Sequence, residues 1–254
     1  MTHMDEVTST DLQNPEQLTA RAMVYGKTPW LVPEAPRRLR EFLLEHGTPL
    51  TLRRGETLPF GAQSRISLVE DGLIGTLPLH LGDTNRVCGL FGAGSVMGLV
   101  MALRMGNTRP ASSGMQIFSK VFVEARLRAV PIERFLTWFS TLSEADSQAL
   151  YRAAILITES QLEGVFVNDI YPVHVRLLIV LEVLGRGRAV SEDGLVELAH
   201  GLTLADIAQI LHTKREMVSR AFSLAQRAGV VVRRGRVLGY SPSALGVALK
   251  RALS

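Results

Sequence analysis

Between residues 48 and 130 the apolar positions come in short runs broken by glycine: TPLTL (48–52), TLPF (57–60), ISLVEDGLIGTLPL (66–79), RVCGLF (86–91) and FSKVFVEARLRAV (118–130). Runs of this length with turn signals between them predict the strands of a sandwich or barrel. At 143 the period changes. SEADSQALYRAAILITESQLEGVFVNDIY (143–171) opens on Ser143 and Asp146 as a capping pair and runs without proline to Pro172, which predicts one long helix. Its apolar residues fall on two stripes, Leu150, Ala154 and Ile157 on one and Ile155, Leu162, Val165 and Phe166 on the other, so it needs two packing partners. The β-domain supplies the first. The second is either the same helix of another subunit, giving a two-fold dimer through Leu162, Val165 and Phe166, or the interior of a monomeric core.

The segment TLADIAQILHTKREMVSRAFSLAQRAGVV (203–231) reads as two short helices joined by a tight turn. Thr203 with Asp206, and Thr213 with Glu216, have the Ser/Thr-x-x-Asp/Glu spacing that satisfies the free N–H groups at a helix start, so two starts lie ten residues apart. The first helix is expected to bury Leu204, Ile207, Ala208 and Leu211, and the second Met217, Val218, Ala221, Leu224 and Ala225. Lys214, Arg215, Glu216, Ser219 and Arg220 are left on the outer face. In a helix-turn-helix that face enters the major groove, where Arg pairs with guanine, Glu accepts from cytosine N4 and Ser serves either way. Behind the pair, Val230–Val232, RRGR (233–236) and Val237–Leu238 predict a basic hairpin, with Arg233, Arg234 and Arg236 placed for phosphates. Thr203, Thr213 and Lys214 are further phosphate candidates. Either element alone could be a solvated surface feature; in this order they predict DNA binding.

Composition sharpens the picture at three points. The excess of positive charge is local: residues 168–254 hold twelve Lys and Arg against seven Asp and Glu, whereas 1–167 hold sixteen against seventeen. A polyanion partner is therefore expected for the C-terminal third alone. No apolar run approaches the roughly 18 residues of a membrane span, and the start MTHMDEVTST has no signal-peptide core, so a cytoplasmic protein without a membrane partner is expected. The single Cys88 excludes an intrachain disulfide framework. No metal-spaced His/Asp/Glu set and no nucleophile-plus-base arrangement is visible in the β-domain, whose His46 and His80 lie far apart, so catalysis and a bound metal are not expected. A reading of another class, a metabolite-binding β-barrel with a DNA-binding tail, stays open.

LRRGETLPFGAQSRISLVEDGLIGTLPL (52–79), with Gly55-Glu56, Gly61 and Gly72 at strand turns, then LFGAGSVMG (90–98) and AVPIERFLTWF (129–139), then the long helix and the winged pair, resemble the Crp/Fnr family of bacterial transcription regulators from about Leu50 to Leu238. The resemblance implies an α+β fold: a polar arm (1–25), a double-stranded β-roll like those that bind cyclic nucleotides (26–142), a long dimerisation helix (143–171) and a winged helix-turn-helix (172–254). It implies a homodimer on palindromic DNA, with RNA polymerase as a further partner. Arg215, Glu216 and Arg220 match the family's base-reading pattern, and Ser219 brings the helix closer to the Fnr branch, implying TTGAT-like half-sites. His212 stands where the family's turn usually has Gly. In the cyclic-AMP branch a Glu follows the Gly matched by Gly98 and an Arg lies on the next strand; here those positions are Leu99 and Met115, with Arg109 nearby in the loop 105–115. The implied effector is therefore something other than cyclic AMP, held between roll and long helix by Leu99, Val100, Met101, Met115, Ile117, Tyr151, Ile155 and Thr158, unless these residues are simply core and the regulator has no effector. The oxygen-sensing branch's cysteine-rich segment is missing. His80 and Cys88 could in principle ligate haem in a gas sensor, but neither stands in the haem-sensing branch's motif, and no cofactor is expected.

Overall fold

The structure, a computed structural model, describes residues 28–60, 65–79, 86–105, 116–198, 201–234 and 237–253. The arm 1–25, Gly61, His80, Arg109, Met115 and Arg236 lie outside the described residues, as do the side chains of Ile117 and Arg234. The five apolar runs become strands. Two long ones, β3 (Arg65–Leu79) and β6 (Gln116–Pro131), pair antiparallel over their whole length, from Arg65 opposite Pro131 to Leu79 opposite Gln116. β1 (Thr48–Leu52) and β2 (Thr57–Phe60) add to opposite halves of β6, while β4 (Gly89–Phe91) and β5 (Val96–Met97) add to β3. Register shifts between Val69 and Ile74 bend the central pair, as bulges do. Gly72 sits at that bend with φ 97°, and a Cβ there would overlap the Glu124 carbonyl oxygen, so only glycine fits. The α+β roll expected from the sequence is the observed architecture.

Three short helices complete this lobe: α1 (Arg37–His46), α2 (Leu99–Met105) and α3 (Ile132–Phe139). The first was not expected, although Leu39, Phe42 and Leu43, buried at helical spacing behind Pro36, carry its signal. The long helix, α4 (Glu144–Ile170), has 27 residues and starts where Ser143 accepts a hydrogen bond from the Asp146 N–H. It ends just before Pro172, and α5 (Val173–Gly185) follows. Then come α6 (Leu204–Ile210), α7 (Arg215–Arg227), a sheet of order β7-β9-β8 (Val196–Glu197, Val237–Tyr240, Val231–Arg234) and α8 (Pro242–Leu253). No helix among the described residues is long and apolar enough to cross a membrane.

There are two apolar cores. One fills the roll and takes Leu150, Ala153 and Ile157 from α4. The other runs from the lower roll (Trp30, Leu90, Phe122), across Val167 of α4, into the interior of α5 to α8. The helix-turn-helix is therefore packed onto the roll, and polar ties cross the same seam. Arg54, in the β1–β2 turn, donates from Nε to the Phe122 carbonyl (2.9 Å) and from Nη2 to Asp206 of α6 (2.6 Å). Lys120 of β6 donates to Gln209 Oε1 (2.7 Å). Cys88, beside the seam, has its thiol pushed up in pKa by burial and donates to the Thr76 carbonyl, the behaviour of a small buried side chain.

Candidate nucleic-acid interface

The candidate interface starts at α6. Thr203 and Asp206 form the reciprocal capping box that their spacing called for: the Thr203 hydroxyl accepts from the Asp206 N–H, and the carboxylate accepts from the Thr203 N–H (2.9 Å) and O–H (2.6 Å). Both Thr203 donors are thus taken up, and this residue, expected on a phosphate, is held inside the protein's own hydrogen bonding. At the other end, the carbonyls of Ile210 and Leu211 would be left bare by so short a helix. Asn168 of α4 donates to the first (2.9 Å) and Arg176 of α5 to the second (2.8 Å). The long helix therefore grips the helix-turn-helix directly.

The turn itself is built around His212. His212 adopts φ 48°, the left-handed region that favours glycine, and its ring Nε2 lies 2.9 Å from the Val87 carbonyl, which fixes Nε2 as the donor. A strain on the order of 1 kcal/mol is offset by a bond that joins the turn to the roll. His212 is held neutral. Burial lowers its pKa from 6.5 and the cations of Arg86 and Arg176 add to this, while the Val87 carbonyl and Asp169 oppose it. A depressed folded-state pKa means stability that is complete above about pH 6.5 and lost as pH falls through the folded value. Between pH 7.5 and 5, urea unfolding should show a loss of stability that is smaller in His212→Asn, a residue that also tolerates this backbone. Identical pH profiles for the two proteins would show that His212 is not the titrating group.

Helix α7 begins one residue later than its sequence suggested. Lys214 is the N-cap, without a side-chain cap bond, so the expected Thr213–Glu216 cap is not formed and the Glu216 carboxylate is not spent there. Val218, Ala221, Phe222 and Ala225 face inward. Met217 and Leu224, expected among them, are exposed instead, because Phe222 is the bulkiest apolar side chain available and turns the helix to bring itself inside. Lys214, Arg215, Glu216, Ser219 and Arg220 are all exposed along the outer face, as expected. The wing is also present: β8 and β9 form a hairpin in which Arg233 is opposite Leu238 and exposed, with Arg234 opposite Val237 at its tip. Donors suited to guanine and an acceptor suited to cytosine thus share the outer face of α7, and a basic hairpin follows that helix in the chain.

No family model and no curated protein sequence matches the chain. Solved structures do. FixK2 from Bradyrhizobium japonicum aligns over 78% of this chain and 95% of its own at 17% identity and a TM-score of 0.62. A transcriptional regulator of the CRP/FNR family from Thermus thermophilus aligns over 81% and 100% at 16% identity and 0.58. CLP, a c-di-GMP responsive global regulator of Xanthomonas campestris, aligns over 80% and 97% at 19% identity and 0.58. The fold is that of the Crp/Fnr regulators.

Within this fold the described residues among those expected at an effector pocket do not converge in a single chain. Leu99 is buried in the roll core at the start of α2, which packs on α4, and Val100 and Met101 are half-buried beside it. Tyr151, Ile155 and Thr158 instead face solvent on α4. They continue the stripe of Leu162, Val165 and Phe166, of which Leu162 is 50% and Phe166 44% exposed. Ile170 extends it to the end of the helix. Among the described residues no group of His, Cys, Asp or Glu could hold a metal ion.

Proposed function

We propose that this chain is a Crp/Fnr-type transcription regulator, a homodimer that reads a palindromic TTGAT-like site through Arg215, Glu216, Ser219 and Arg220. The observation that carries the reading is the outer face of α7. Five polar and charged side chains competent for base edges and phosphates stand exposed at the start of a helix whose preceding turn is tied to α4, α5 and the roll. Phosphates fall to Thr213, Lys214 and the wing arginines Arg233, Arg234 and Arg236. A DNA target puts the dimer in the cytoplasm, with RNA polymerase as its neighbour at a promoter, and no chemical step is asked of it. The roll takes an effector other than cyclic AMP: Leu99, where the cyclic-AMP branch has its carboxylate, is 1% exposed in an apolar core, and the side chains around α2 suit an apolar ligand.

The two classes of contact should separate by mutation. Arg220→Ala should lose about 1–3 kcal/mol on a TTGAT-type palindrome and relax preference at one position per half-site. Arg233→Ala should weaken specific and scrambled duplexes alike and lower the salt slope by about one unit. Affinity for both duplexes across a salt series decides. An Arg220→Ala variant that weakens both equally would take base reading away from this residue.

A further inference from the structure

Met217 and Leu224 are the apolar residues that α7 leaves exposed, and of the two Met217 stands beside the base-reading row. It lies in the first turn, next to Glu216, and is 43% exposed although it is among the most apolar side chains on the helix. Arg220 and Leu224 follow it at i+3 and i+7, so Met217 and Arg220 share one flank of the face that carries the base-reading row. The inner face of α7 is filled by Val218, Ala221, Phe222 and Ala225 instead. An exposed thioether among charged residues wants an apolar surface, and the major groove offers one apolar group at base edges, the thymine C5-methyl. We infer that Met217 reads the methyl group of a thymine adjacent to the base pair contacted by Arg220, and so sets the specificity of the half-site at that position. The unbranched, flexible side chain suits a contact with a methyl whose position varies with DNA shape.

The inference rests on the DNA-binding role proposed above, and one experiment separates the two. Duplexes are selected from a random pool by the full-length protein, and each thymine of the selected half-sites is then replaced by uracil, which lacks only the methyl. At one position per half-site, uracil should weaken wild-type binding about fourfold, the worth of one buried methyl group, and so about fifteenfold when both half-sites are changed. Met217→Ala should bind the thymine duplex that much more weakly and show no difference between thymine and uracil at that position, whereas Met217→Leu should restore the difference. Wild-type binding that is indifferent to uracil throughout, or a Met217→Ala variant that keeps the full thymine preference, overturns the inference while leaving DNA reading intact. Failure to enrich any duplex overturns both.

Discussion

Leu162→Lys should convert the protein to a monomer. Tyr151, Ile155, Leu162, Phe166 and Ile170 are each at least 40% exposed and follow one another along one side of a 27-residue helix, about 30 Å of largely apolar surface. A stripe of that length needs a cover, and its regular spacing along the helix suits the same stripe on a two-fold mate. The other side of α4 is already used: Leu150, Ala153, Ile157 and Val167 are buried in the two cores. A lysine at Leu162 would bring two unpaired ammonium groups together at the centre of the seam, at a cost of several kcal/mol. Since the position is half exposed within one chain, the fold itself should hold. Sedimentation should then report monomer, and DNA affinity should fall by orders of magnitude because each half-site would be bound alone. A dimer that persists in the variant would locate the interface elsewhere.

Trp30→Ala should cause the largest loss of stability among single substitutions of this kind, about 3–5 kcal/mol, or roughly 10 °C in melting temperature. Its ring is fully buried where the roll meets α4 and α5, against Gly164, whose missing Cβ makes the room: any side chain there would overlap the indole. The backbone of Trp30 also donates to the Ser160 carbonyl of α4 (2.8 Å) and accepts from the Leu90 N–H (2.7 Å), so the residue joins strand β4 to the long helix. Its φ of 60° is held by those bonds. The indole Nε1 is buried with no hydrogen-bond partner among the described residues, so Trp30→Phe should retain most of the stability that Trp30→Ala loses. Thermal unfolding of the two variants separates ring volume from the polar atom; equal losses would mean that the indole N–H has a partner after all.

What the sequence made legible was local. The strands of the roll announced themselves through short apolar runs between glycines, the start of α4 through Ser143 and Asp146, and the start of α6 through Thr203 and Asp206, because each signal acts within a few residues of chain. The base-competent row on α7 was legible for the same reason. Contacts between distant segments were not. Asp206 read only as a cap, yet its carboxylate also receives Arg54 from 152 residues away. His212 read only as a departure from glycine, whereas its ring binds a carbonyl 125 residues distant. The orientation of α7 differs by one flank from what apolar spacing predicts, since spacing alone does not say that Phe222 takes the inside and leaves Met217 and Leu224 out.

Palindromic reading by a two-fold dimer makes a demand that no single-site reader meets: the two half-sites must contribute together. Binding of the full-length protein should be measured on three duplexes at fixed salt, one with an intact TTGAT-type palindrome, one with a single half-site scrambled and one fully scrambled. The intact site should bind at least about a thousandfold more tightly than the scrambled duplex, with the half-scrambled site between them. Equal affinity for all three would contradict sequence reading by α7, and equal affinity for the intact and half-scrambled sites would contradict the dimer.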